Sequence, residues 1–457
     1  MVVTGLLLSF VLGLAVVSAI SHRFSWAEKT GLSFITGIGI QTALMVLMDA
    51  ISIPLTVISV FAASAVVLGV ALFFCWKKRI YLINNIKTFG LKNINFRQYT
   101  LLWAVLLIMT GYIEYFNWAK CMFFPTFDRD SIVGFDFMGR VIASEHAMGE
   151  STYFQSTELG GMEGASYTHY TPLVHLSYAY VYMLGAQMSK VINALFFLSF
   201  IFSFYAALKR ILTPTFAAMT LLLTMLVPEF ISFTSLSATN ALHAIYASLA
   251  VMYAMLYFKT DERRYFSMTV VLSALNVWTR QEGIVFIAAI AFVMLLKAIK
   301  VKKLKDVAVY CGITVAPFVF WLVYLKIFGL GSQSESMNLL PFWDSTKLST
   351  IVKMGWEVLK NINFYSVTFY VFAATILASL YFMIKEKRGY ELLTMFVVSL
   401  LLFVVVIYQV EYNWDSLENV MRYSFKRFMF CFVPLAWAFV FTNPLVEKVN
   451  NWLKLKL

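Results

Sequence analysis

Charge is what this sequence has least of. Only 13% of its 457 residues are charged, while 61% are hydrophobic. Soluble domains carry about 25% charged and about 45–50% apolar residues. That scarcity excludes an ordinary soluble enzyme and turns chain length into a count of membrane spans. Cysteine is scarce too, and Cys75, Cys121, Cys311 and Cys431 lie far apart. Such spacing excludes a disulfide framework and a cysteine metal site, and the three thiols in or beside apolar spans read as small buried hydrophobes. No stretch is long and polar enough for a soluble domain, and neither repeats nor low-complexity tracts occur. The first twenty residues, MVVTGLLLSFVLGLAVVSAI, lack the basic n-region of a secretory signal. Their apolar run is also too long for one, so they read as a first span.

Apolar runs and aromatics are abundant, with 43 Phe and 24 Tyr suited to interfacial belts and helix packing. A span needs about 20 apolar residues. Candidates are 3–21, 31–49, 53–76, 99–117, 188–208, 215–234, 241–258, 265–281, 284–299, 307–328, 366–384, 391–410 and 428–443. The expected fold is therefore all-α and polytopic, with about thirteen transmembrane helices. Net charge is +12, and it falls in short loops between spans, which argues against nucleic acid as a partner. The loop at 76–98 has six basic residues and no acidic one, so it is expected in the cytoplasm. Thirteen spans then put Lys209–Arg210, 259–264, 297–305, 385–388 and the tail on that same side. Parity depends on YTPLVHLSYAYVYMLG (170–185), which is short and interrupted by His175 and tyrosines. It reads as a helix lying on the outer membrane surface. Residues 118–187 become one long external loop with juxtamembrane helices. Three regions follow: 1–98 with three spans and the basic loop, a core over 99–443, and a tail over 444–457.

That loop opens with PTFDRDSIVGFDFMGR, which holds Asp128, Asp130 and Asp136. Between 118 and 170 there are seven acidic and three basic residues. On the same face Lys190 opens a span, Arg280 and Glu282 tip the hairpin ALNVWTRQEGIVF, and Arg422, Lys426 and Arg427 precede the last span. Charges kept at a membrane boundary mark functional sites. Carboxylates beside several cations suit chemistry on a lipid-linked phosphate. Arginine matches phosphate oxygens bidentately, and a carboxylate accepts a proton from an attacking hydroxyl. The cations stabilise charge on a departing phosphate, so no general acid is needed. The DRD triplet also matches a D-x-D metal pattern, but the nucleotide-sugar donors of that pattern are cytoplasmic and this loop is external. Asp128 and Asp130 point to opposite sides of an extended chain, which disfavours one shared ion. A divalent metal is compatible with the site and not required.

In order, these features resemble the GT-C membrane glycosyltransferases, especially the bacterial branch similar to dolichyl-phosphate-mannose protein mannosyltransferases. The likeness covers roughly 99–443. It comprises an outward helix, Asp130 in DSIVGFDF and the amphipathic stretch GRVIASEHAMG. HYTPLVHLSYAYVYMLG follows, with Thr171 where a proline often stands, and then Lys190 where arginine is usual. Pro228, Asn240 in place of an aspartate, Thr279–Arg280, Arg422–Tyr423 and Pro434 complete the order. The resemblance implies a polyprenyl-phosphate-sugar donor, an inverting displacement at the anomeric carbon and a cell-membrane enzyme working on the extracytoplasmic face. It assigns the base to Asp130, with Asp128 second, and donor phosphate to Arg280 and Arg422, joined by Arg427 or Lys190. His169, Tyr170 and Glu145 are candidate contacts to an acceptor glycan, lipid or protein, and Asp136 shapes the loop. Two alternatives remain. A lipid-linked glycan polymerase or ligase would centre on arginines of one large external loop. A flippase or transporter would place polar groups at mid-membrane.

Overall fold

The computed structural model describes residues 1–77, 100–155, 167–301, 303–330, 337–339, 342–412 and 415–448. Almost all of the basic loop 76–98 thus lies outside the described residues. The chain begins with α1 (Val2–Ile20), α2 (Trp26–Ala50) and α3 (Val57–Lys77). α4 (Leu101–Phe123) leads into the acidic loop, which holds α5 (Asp136–Glu145) and α6 (Leu173–Met183). Then come α7 (Val191–Lys209), α8 (Pro214–Met225), α9 (Pro228–Phe233), α10 (Thr239–Thr260) and α11 (Arg263–Thr279). α12 (Gly283–Val301) and α13 (Leu304–Ile327) precede β1 (Met337–Leu339). The last long elements are α14 (Ser345–Leu359), α15 (Thr368–Glu386), α16 (Tyr390–Gln409), β2 (Val410–Tyr412) and α17 (Phe432–Thr442). β1 and β2 pair antiparallel, with Met337 opposite Tyr412.

Among the described residues, ten helices are long and apolar enough to cross a membrane. The expected run 215–234 departs from the count because Pro228 interrupts it. Proline lacks an N–H and restricts the residue before it. α8 therefore stops at Met225, and a short α9 restarts at Pro228. The apolar part of α12, Gly283–Ile299, is also short, and α11 has 17 residues. At the last span, helical structure starts well before residue 428. Leu417–Val420, a wide π turn over Met421–Phe425 and Lys426–Phe428 lead into α17, so the basic residues expected in a loop stand on helical turns.

α6 corrects a second expectation. A helix lying on a membrane keeps one face in lipid and one in water. Nine of the eleven residues of α6 are buried instead, and it packs against α5, α2, α11 and α7. Gly139 allows the approach of α5: a Cβ there would fall 2.8 Å from Tyr178 Cβ and 3.2 Å from the His175 carbonyl. α1 and α2 cross as closely. A Cβ on Gly13 would fall 1.7 Å from Ser33 O, and one on Gly37 1.8 Å from Ser9 O. Small residues four apart on both helices bring the backbones together without large side chains between them. Ser25 and Glu28 form a reciprocal cap that starts α2. α2 also packs on α7, which draws the first spans into the shared core.

Ion pairs join the turns at one end of the bundle. Arg210 pairs with Glu28 at 2.5 Å, and Arg210 and Arg264 both donate to the Arg23 carbonyl. Arg263 meets Asp306 at 2.8 Å, Lys297 meets Glu391 at 2.8 Å, and Lys448 meets Glu386 at 2.5 Å. Thr100 and Thr215 bring the starts of α4 and α8 together at 3.0 Å. A different set of turns surrounds the acidic loop. Leu55 bonds to His146, Trp321 Nε1 donates to the His169 carbonyl, and Lys426 pairs with Glu229 at 2.9 Å.

Candidate functional site

The acidic loop starts where α4 stops. The Asp128 carbonyl accepts from the N–H groups of Ser131 and Ile132 at 3.1 and 2.9 Å, opening a widened turn over Asp130–Phe135. The turn kinks at Gly134 (φ −109°, ψ −112°). A Cβ at Gly134 would fall 2.7 Å from the Tyr167 ring. Glycine therefore admits Tyr167, whose hydroxyl donates to Asp130 Oδ1 at 2.8 Å. Asp130 Oδ2 is ion-paired with Arg427 Nη1. Arg427 follows the π turn and lies over the Phe233 ring, 5.3 Å from its centre. Inserted π turns inside helices recur at functional sites.

A second pair stands close by. Arg280 Nε and Nη2 donate to the two oxygens of Glu282 at 3.2 and 2.5 Å. Its Nη1 donates to Thr239 at 3.2 Å and to Asn240. Those four bonds use most of the five N–H groups of a guanidinium. Arg280 also lies 5.2 Å from the centre of the Tyr170 ring. Tyr170 links the two pairs: Phe135 meets it edge-on at 5.1 Å, and its phenol is within electrostatic reach of Arg280, Glu282, Asp130 and Arg427.

The charges are tuned by their surroundings. Burial pushes the Asp128 carboxyl up, the neighbouring Asp130 charge adds to this, and Arg427 opposes both. Asp128 Oδ2 is buried and has no hydrogen-bond partner. Burial pushes Glu282 up as well, but the Arg280 charge outweighs it and holds the carboxyl down to about 2. Burial and then the Asp130 carboxylate push the Tyr167 phenol up, so it stays a donor. A half-buried carboxylate with a free oxygen can accept a proton, and a partly exposed arginine beside it can meet an anion.

The other predicted residues have surroundings of their own. Buried Asp136 accepts from Tyr182 at 2.6 Å, from Ser189, and from Arg140 at 3.1 Å, which ties α5 to α6 and α7. Lys190 directs its ammonium to the carbonyls of Lys120, Phe124 and Pro125, closing the end of α4. Three donors meet three carbonyls there. Glu145 is exposed and accepts from Thr152 N at 2.7 Å. His169 is half-buried, and burial lowers its pKa. Arg422 is exposed on the π turn.

Sequence reasoning does not reach Tyr167, Phe233 or the Lys426–Glu229 pair, because only folding brings distant segments together. Glu114 is different. It is a buried carboxylate inside α4 whose Oε1 has no partner, and an acid within an apolar run is visible in the sequence. Among the described residues, no three His, Cys, Asp or Glu side chains gather as a metal site. A cavity of about 300 Å³ lies away from the carboxylates, lined by Tyr257, Lys297, Lys303 and Asp306. Its charged groups pair with Glu391, Asp261 and Arg263, so this cavity is not where the unpaired chemistry is. No family model, curated protein or solved structure matches the chain.

Proposed function

We propose that the protein is an integral-membrane glycosyltransferase that moves a sugar from a polyprenyl-phosphate carrier to an acceptor on the extracytoplasmic face. All thirteen apolar runs cross the membrane in this reading, and the basic turns face the cytoplasm. The observation that carries it is the Asp128–Asp130–Arg427 cluster, with a free carboxylate oxygen beside an arginine at one end of the bundle. The acceptor hydroxyl attacks the anomeric carbon and gives its proton to the aspartate pair. The bond to the carrier phosphate breaks, and Arg427 meets the charge that develops. Arg422 stands on the preceding turn as a second cation. Arg280 serves the site as a fixed wall behind Tyr170, since Glu282, Thr239 and Asn240 occupy it.

The test is transfer from a radiolabelled polyprenyl-phosphate sugar by the purified protein, comparing wild type with Asp130→Asn and Asp128→Asn. Full rate in both folded variants removes the aspartate pair as base. A flippase reading draws on Glu114, buried within α4. Glu114→Gln retains sugar transfer if the protein is a transferase of this kind.

A further inference from the structure

Two buried polar atoms at the site lack partners: Arg427 Nε, a donor, and Asp128 Oδ2, an acceptor. They belong to the two neighbours of Asp130, whose own oxygens are both engaged: Oδ1 accepts from the Tyr167 hydroxyl and Oδ2 is ion-paired with Arg427. That pair is reachable, since the Arg427 and Asp130 side chains are 24% and 23% exposed. Asp130 is thus closed off by the group best suited to bind phosphate. Arg427 holds Asp130 through Nη1 alone, whereas a phosphate offers a guanidinium two oxygens to engage.

We infer that Arg427 is a phosphate-operated latch: paired with Asp130 it closes that carboxylate and offsets the charge of the aspartate pair, and a lipid-linked phosphate that takes its guanidinium frees the pair for an acceptor hydroxyl. This rests on the transferase reading for its ligand. The charges around the latch are Asp128, Asp130, the exposed Arg129 and Arg422, and the pairs Lys426–Glu229 and Arg280–Glu282. Both of those pairs hold their own countercharge, and Arg427 is the cation that pairs with Asp130 and acts on Asp128, so its withdrawal leaves the two carboxylates facing each other. Two carboxylates without a cation favour sharing a proton, which makes the site a stronger base. Burial and Asp130 already push Asp128 in that direction, and Arg427 is what resists. Base strength therefore rises only after the donor is seated, and donor binds before acceptor.

A hydrophobic carbodiimide, which modifies protonated carboxyls, reads this directly. The full-length protein in nanodiscs is labelled, and modification of Asp128 and Asp130 is followed by peptide mass spectrometry. Saturating farnesyl phosphate should raise labelling about tenfold, as loss of a close opposite charge implies, and farnesol should leave it unchanged. Arg427→Gln should label at the raised level without any phosphate and lose the response. Labelling that farnesyl phosphate leaves unmoved or lowers overturns the latch, as does a folded Arg427→Gln that labels like wild type. If that variant does not fold, the wild-type arms decide alone. Inorganic phosphate acting at equal concentration keeps the latch and assigns it to free phosphate. A labelling response without sugar transfer keeps the latch and removes the transferase, whereas transfer without a response does the reverse.

Discussion

Among the residues, the aspartates differ by what each oxygen touches. Asp130 has Tyr167 on one oxygen and Arg427 on the other, while Asp128 keeps a buried oxygen without a partner. Asp128→Asn and Asp130→Asn should each slow transfer by about 10²–10⁴-fold, the range of general-base contributions. Initial rates from labelled donor measure this. Glu282 works through stability. Its folded pKa, about 2, lies below the ordinary glutamate value of about 4.3. The stabilisation is therefore present above that ordinary value and lost as pH falls toward about 2. Glu282→Gln leaves Arg280 without its carboxylate and should cost about 3 kcal/mol. Thermal unfolding in detergent should show the gap between wild type and variant at pH 7, narrowing as pH drops below 4.

At the level of elements, close approaches set the site. Gly139 lets α5 lie on α6, and Asp136 at the start of α5 holds Tyr182 and Ser189. Gly139→Ala puts a Cβ against Tyr178 Cβ and should destabilise by about 1–3 kcal/mol, as overpacking does. A lowered melting temperature in scanning fluorimetry is the expected outcome. Gly134→Ala acts differently, because the new Cβ meets the Tyr167 ring. It should move Tyr167 from Asp130 and reduce transfer more than it reduces stability. Equal transfer in Gly134→Ala and wild type would sink the role given to that kink. The helices themselves were legible as apolar runs, and Pro228 in the run 215–234 was a visible break. The burial of α6 was not. Its composition fits a surface as well as an interior, and only the covering α5 distinguishes them.

For the whole molecule, the proposed reading fixes a membrane sidedness that labelling can measure. With the native cysteines replaced, an impermeant maleimide applied to intact cells should label Lys360→Cys and spare Arg388→Cys. Both positions are exposed, and they lie at the two ends of α15 and its approach. The reverse pattern moves the acidic loop to the cytoplasm. The sequence by itself determined the membrane class, the helix-rich fold and the shortlist of charges, because hydrophobic runs and stray charges are local properties of a chain. Asp136 was on that shortlist, and its three donors from α5, α6 and the start of α7 came into view only with the fold. Only the tertiary structure decided which charges meet. It paired Asp130 with Arg427 across 297 positions, spent Lys190 on the end of α4 and bound Arg280 to Glu282. Partner choice is a matter of distance and burial, and neither is set until the helices pack.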